Sequence, residues 1–286
     1  MDKLILVTGL IPYDSGKTWF VLSSASYARS TGLRVGVFKP VAGHNLWYSP
    51  RTIKKSIELG LLVGNDVTLY YENGFVKDPA LSNPLAIATI PPDPRFYEQS
   101  MDTYMADLES MYSTAVLSRI TNCRSKATRH YYYPESLKRA PPATRRTLEK
   151  MLLALHAEES SIDELVKYME SANSEESLNE CLELIRGGNN VVFIESFNDA
   201  IAPYASLLGK VNAIVVVAPG RVFVYEDVKT LKELVVSNVE KYGWEGFRTR
   251  HIIGKVSAQI TLSTGFALKP KPYNIHKAFI KAILEE

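Results

Sequence analysis

The chain has 286 residues, 46% of them hydrophobic and 22% charged, with a formal net charge of +2. Those values fit one large α/β domain, or one domain carrying a sizeable insertion, around a real core. They exclude a whole-molecule field that would draw the chain to nucleic acid or membrane, so any such preference has to be local.

Taken in chain order, "LILVT" (Leu4–Thr8) is a nearly continuous apolar run, which predicts a strand covered on both faces. The opening "MDKLILVTG" holds too short an apolar stretch for a signal peptide. No run approaches the ~20 residues of a membrane span, so a soluble cytoplasmic protein is expected. Lys17 to Ser30 has a helical pattern ended by Thr31-Gly32, and "RVGVF" (Arg34–Phe38) reads as a second strand. A strand, a helix and a second strand imply a βαβ unit and a buried parallel sheet.

From about residue 92 to 186 the pattern turns mostly helical. Asp93-Pro94 has the cap and first-turn proline of a helix start. After it Tyr97, Met101, Tyr104, Met105, Leu108, Met111, Tyr112 and Ala115 recur at helical spacing, which predicts a core stripe or a seam for a partner helix. Ser161 with Glu164 forms a capping-box pattern, and a helix through Leu178–Arg186 is stopped by Gly187-Gly188. Two more buried strands follow, "VVFIE" (Val191–Glu195) and "AIVVVA" (Ala213–Ala218). "HIIGKV" at 251–256 is a weaker strand candidate after a helix around Asp227–Lys241. Asn274 is placed to cap a final helix bearing Ile275, Phe279, Ile280, Ile283 and Leu284. The two cysteines, Cys123 and Cys181, follow no metal-ligand spacing and read as reduced thiols.

The segment "VTGLIPYDSGKTWF" carries the chemistry. A phosphate-binding loop is G-x-x-x-x-G-K-[ST]: its amides wrap the phosphates, its lysine reaches the β and γ oxygens, and its hydroxyl holds Mg²⁺. Here Ile11 stands where the first glycine belongs, with Gly9 further back. The context is still that of a working loop, since a buried strand leads in and Gly16-Lys17-Thr18 opens a helix. Asp14, Ser15, Gly16, Lys17, Thr18 and Trp19 therefore form the expected nucleotide-binding set, with Lys17 bridging phosphates and Thr18 on the metal. Pro12 removes one amide from the cradle, so the loop has a lengthened lip. The expected architecture is a doubly wound, mostly parallel α/β sheet of the P-loop NTPase class, built from residues 1–91 and 187–286, with a mainly helical insertion at 92–186.

After the second strand the sequence reads "VFKPVAGH". GKT followed by Lys39-Pro40-Val41 resembles the dethiobiotin synthetase family, whose loop G-T-D-T-x-V-G-K-T is also longer than standard and whose second strand ends in K-P-V. The resemblance spans residues 4 to about 90 and 191 to about 220. It implies Asp66, in "GND", and Glu195, in "VVFIES", as Mg²⁺ ligands beside Thr18. It also implies Lys39 as a second catalytic cation beside Lys17, facing the γ-phosphate and an anionic small-molecule acceptor. "SNPLA" (Ser82–Ala86) is similar to the family's Pro-containing substrate-side segment. A glutamate ending an apolar strand does lie at the carboxyl edge of a sheet, where open α/β folds bind ligands.

The chain departs from the family at Pro12, where the loop aspartate falls. It departs again at Ser196-Phe197-Asn198-Asp199, where Gly-Ala-Gly-Gly stands, and "HIIGKVSAQ" has no equivalent of the base-recognition segment. What the resemblance implies is thus an Mg²⁺- and ATP-dependent enzyme, ligase-like or hydrolytic, acting on a carboxylate, a carbamate or water, and not dethiobiotin synthesis itself. It also suggests a homodimer.

Between Arg119 and Arg146 lie eight cations against one acid, Glu135, with Tyr131, Tyr132 and Tyr133 consecutive. Such a mixture suits single-stranded nucleic acid, a lid over phosphates, or a solvated loop; nothing in the sequence separates them. "DSGKT" also resembles the loop of 5′-hydroxyl polynucleotide kinases, so a nucleic-acid-associated NTPase using residues 119–146 is the alternative. A nucleotide-sensing module without turnover would need the same loop and no acceptor site.

Overall fold

The computed structural model describes residues 2–98, 100–264, 279–281 and 283. Its strands are β1 (Lys3–Gly9), β2 (Val35–Phe38), β3 (Val41–Asn45), β4 (Leu85–Thr89), β5 (Ala115–Asn122), β6 (Ala127–Tyr132), β7 (Glu158–Glu159), β8 (Val191–Glu195), β9 (Ala213–Ala218), β10 (Arg221–Tyr225) and β11 (Ile260–Ser263). Its α-helices are α1 (Lys17–Ser30), α2 (Arg51–Leu59), α3 (Asn65–Glu72), α4 (Pro79–Ser82), α5 (Met101–Glu109), α6 (Met111–Thr114), α7 (Pro134–Arg139), α8 (Pro142–Ala154), α9 (Ile162–Met169), α10 (Ala172–Arg186) and α11 (Val228–Tyr242). The chain is α/β and divides into two compact units. Among the described residues no helix is long and apolar enough to cross a membrane.

The first unit comprises Met1–Pro40, Asn73–Val76 and Leu182–Glu286. Its sheet runs β11-β10-β9-β1-β8-β2, with β2, β8, β1 and β9 parallel, β10 antiparallel to β9 and β11 antiparallel to β10. The parallel strands are the continuous apolar runs, and β8 and β9 are buried along their whole length. Each fully buried Val or Ile there contributes about 1.5–3 kcal/mol. Helix α1 buries Ser23, Ser24, Ala25 and Ala28, small residues that let it lie close to the strands. Connections leave β1 towards β2 on one side, while β8 leads to β9 on the other side of β1. That reversal opens a crevice at the carboxyl ends of these strands.

One expectation for this unit changes. "HIIGKV" is not a strand: Thr249–His251 is a short 3-10 turn, followed by an isolated bridge from Ile253 to Val256. The sheet grows instead through the hairpin β9-β10, which turns at Pro219-Gly220 with Gly220 at φ 78°. Phe279, Ile280 and Ile283 are helical and buried, and Phe279 meets Phe20 edge-on at 5.1 Å. The cap proposed at Asn274, with Ile275 and Leu284, lies outside the described residues.

The second unit comprises Val41–Glu72 and Lys77–Cys181. It is not a mainly helical insertion starting at residue 92. It has its own sheet, β3-β4-β5-β6-β7, and claims residues 41–72 and 77–91 from the expected P-loop domain. The physical reason is β3, which begins directly after Pro40 and pairs in parallel with β4 rather than with β2. Leu46, Ala86, Ala88, Val116, Leu148 and Met151 form part of its core.

The Met/Tyr stripe is core only at its ends, Tyr97 and Ala115; between them α5 buries no residue, and Met101 and Met105 are 50% and 56% exposed. Polar bonds anchor it: Tyr97 Oη donates to Asp107 Oδ2 at 2.5 Å, and Arg139 donates to the same oxygen at 2.9 Å. The Ser161–Glu164 capping box is present as predicted, and Asp93 caps the 3-10 turn Pro94–Tyr97. The reduced-thiol expectation is overturned. Cys123 and Cys181 form a buried disulfide with Cα atoms 5.3 Å apart, joining the β5–β6 turn to α10.

The basic segment 119–146 is folded structure, not a loop, and most of its cations are engaged. Arg119 is fully buried and donates to Leu62 O at 2.7 Å and Asn83 Oδ1 at 2.9 Å. Arg124 pairs with Glu176 and Glu180, Lys138 with Glu135, Arg139 with Asp107, and Arg145 donates to the Lys138 and Ala140 carbonyls. Lys126, Arg129 and Arg146 are exposed. Tyr133 is buried with its hydroxyl 2.6 Å from that of Ser118.

Two histidines of this unit are held neutral. Burial, with Arg119 nearby, pushes His130 down to about 4, and its Nε2 accepts from the Leu62 amide at 3.1 Å. Burial likewise pushes His44 to about 4, against the pull of Asp66, and neither ring nitrogen has a hydrogen-bond partner. Between pH 6.5 and 4 the unfolded chain therefore binds protons that the folded chain refuses. Stability is complete above 6.5 and falls as the pH drops towards 4. After allowance for the solvent that reaches parts of both residues, the loss is about 3 kcal/mol together. Urea titrations at pH 7 and 4.5 check this, and His130→Gln should remove about half of the difference, leaving the share of His44.

Candidate functional site

The site is built at the carboxyl edge of the first unit's parallel strands. Gly16 precedes α1 in the left-handed region, φ 93°, which turns the chain into the helix without a side-chain cap. The first amides of an α-helix lack intrahelical partners, and the helix dipole makes that end attractive to anions. Lys17 folds back beneath the loop. It is 8% exposed, and its Nζ donates to Asn198 O at 2.8 Å and to Ser15 Oγ at 3.2 Å.

Gly9 ends β1 directly against this lysine. A Cβ there would come 2.7 Å from Lys17 Nζ, 2.5 Å from Ser15 Oγ and 3.1 Å from Ile11 O, so a methyl group would have to push the ammonium and the hydroxyl aside. The residues from Ile11 to Asp14 are exposed and form the lip, with Asp14 at φ 53°. Asn198, whose carbonyl holds Lys17, is also left-handed at φ 46°. Non-glycine residues in this region cost of order 1–3 kcal/mol and persist where surroundings enforce them, often at functional sites.

A second cluster lies at the ends of β8 and β2. Lys39 Nζ sits 2.7 Å from Glu195 Oε1, and the two side chains are 4% and 1% exposed. Lys39 Nζ also lies 3.5 Å from Ser196 O. The Thr18 hydroxyl donates to the same Glu195 oxygen at 3.2 Å. Behind them Ser196 Oγ and Thr8 Oγ1 both donate to Ala200 O, at 2.8 and 2.6 Å. These bonds draw the segment 196–200 over the strand ends. Arg248 secures its far side through Asp199 at 2.9 Å.

Of the residues expected from sequence, Ser15, Gly16, Lys17 and Thr18 form the loop and helix start, and Lys39 and Glu195 join Thr18. Trp19 is half-buried on α1, and Asp14 is exposed on the lip. Asp66 belongs to the other unit, in the first turn of α3, where its charge acts on His44. Sequence reasoning missed Asn198 and Ser196, since both also act through backbone carbonyls.

Among the described residues no group of three or more His, Cys, Asp or Glu side chains could hold a metal. A hydroxyl and one carboxylate 3.2 Å apart nonetheless fit Mg²⁺, a hard cation that takes few protein oxygens and keeps water and phosphate as its other ligands. No protein-family model, no curated protein and no solved structure matches the chain.

Proposed function

We propose that the chain is a Mg²⁺-dependent ATP-binding enzyme of the P-loop class that moves the γ-phosphate to a carboxylate or carbamate acceptor, or to water. The observation that carries this is the convergence of Lys17, Thr18, Lys39 and Glu195 at the start of α1 and the ends of β2 and β8. The opening amides of α1 and the Lys17 ammonium would hold the β- and γ-phosphates. Thr18 and Glu195 offer oxygens to the metal, whose part is to neutralise charge on the phosphate oxygens. Lys39 brings a second positive charge to where the phosphoryl group departs. Little covalent work falls to the protein, and positioning with charge neutralisation supplies most of the rate.

We place this enzyme in the cytoplasm; the Cys123–Cys181 disulfide counts against that placement, because a reducing cytosol seldom keeps such a bond. The polynucleotide alternative draws less support, because folding engages five of the eight cations in 119–146.

Calorimetric titration with Mg²⁺·ATP tests the function. Lys17→Ala should abolish binding, whereas Lys39→Ala should bind ATP and lose turnover. Unimpaired phosphate release by the Lys39 variant would exclude the ligase-like chemistry. Gly9→Ala should weaken ATP binding about tenfold or more by displacing the lysine ammonium, while Gly188→Ala, whose added methyl meets nothing within 4 Å, should leave it unchanged.

A further inference from the structure

Thr18 and Lys39 converge on a single oxygen. Glu195 Oε1 accepts from the Thr18 hydroxyl at 3.2 Å and from the Lys39 ammonium at 2.7 Å. The Thr18 hydroxyl and that Glu195 oxygen are also the pair that suits a divalent cation, so the seat for the metal already holds one positive charge. Lys39 is 4% exposed and cannot retreat into bulk water without leaving the site. Two cations on one buried oxygen repel strongly where little water screens them.

On the premise that this site binds Mg²⁺ and a nucleotide, we propose that Lys39 is a built-in competitor for the metal seat, released by a γ-phosphate. The divalent ion takes Glu195 Oε1 only as the ammonium leaves it. The ammonium then needs a new anionic partner, and the γ-phosphate provides one. A nucleoside diphosphate lacks that partner, so Lys39 stays on Glu195 and opposes the metal. Lys39 thus makes metal retention depend on a triphosphate, which favours release of metal with the diphosphate product. This is a positioning role added to its catalytic one.

The test uses Mn²⁺ as the metal and reads its affinity by electron paramagnetic resonance, separately with ADP and with ATP. Wild type should hold Mn²⁺ about tenfold or more tighter with ATP than with ADP. In Lys39→Met that preference should collapse, chiefly because Mn²⁺ binds tighter with ADP. Lys39→Arg should keep the preference. Equal Mn²⁺ affinity with ADP in wild type and Lys39→Met overturns the inference, although nucleotide binding itself stands. If neither nucleotide binds wild type at all, the proposed function fails first.

Lys39→Met takes the ammonium from a buried carboxylate, which weakens the fold, so wild-type crystals grown with Mg²⁺·ADP and with Mg²⁺ and a non-hydrolysable ATP analogue give a second measurement. The Lys39–Glu195 contact should persist with ADP and open beyond 4 Å with the analogue. Retention of the contact in both crystals overturns the inference.

Discussion

Reducing the Cys123–Cys181 disulfide is expected to destabilise the fold by about 4 kcal/mol, the chain-entropy value for a bridge spanning 58 residues. At this chain length that corresponds to a fall in Tm of roughly 10 °C. Both sulfurs are buried, so reduction should be slow in the native state and fast once the second unit opens. Scanning calorimetry with and without reductant, with free thiols counted after each run, checks the figure. A Cys123→Ala, Cys181→Ala chain should melt at the lower temperature in either buffer. An unchanged Tm in fully reduced protein would show that the bridge contributes nothing.

Replacing Glu195 by alanine should cost about 3–5 kcal/mol, because it strands the Lys39 ammonium, 4% exposed, with its carboxylate gone. Lys39→Met combined with Glu195→Leu should recover most of that loss, since a buried ion pair exchanged for apolar groups of similar size is often neutral. Function should not recover. A double variant with native stability and no metal-dependent nucleotide binding would separate the two roles of the pair. Urea denaturation of the single and double variants provides the measurement, and additive losses would contradict the coupling.

The central strands could be read from sequence for a physical reason: parallel strands buried on both faces are unbroken apolar runs. That is why β1, β2, β8 and β9 emerged, and with them Lys39 and Glu195 at their ends. Strand β10 carried a signal that went unused. Pro219-Gly220 marks a turn, and Val222 and Val224 alternate with Arg221 and Phe223 just beyond it. The second sheet was harder to see. Strand β4, "LAIAT", is short and alanine-rich, and β6, "ATRHYY", looks polar because Arg129 faces out while His130 turns in.

Arg119 is the sharpest case. It sits in a run of cations that suggests a solvated arm, yet its guanidinium satisfies a carbonyl 57 residues away, and no local pattern announces that. The disulfide escaped for the same reason, as two cysteines 58 residues apart leave no local trace of their pairing.

Gly9 bears on how such loops are recognised. On the proposed reading Gly9 would serve as the loop's first glycine by its position in space, since a Cβ there would come 2.7 Å from the Lys17 ammonium, and not by the number of positions between them. The stretch from Ile11 to Asp14 bulges outward, so further residues could be added or trimmed there while the seat beneath keeps its shape. A fixed-gap pattern passes over a glycine placed in this way, whereas proximity in space registers it.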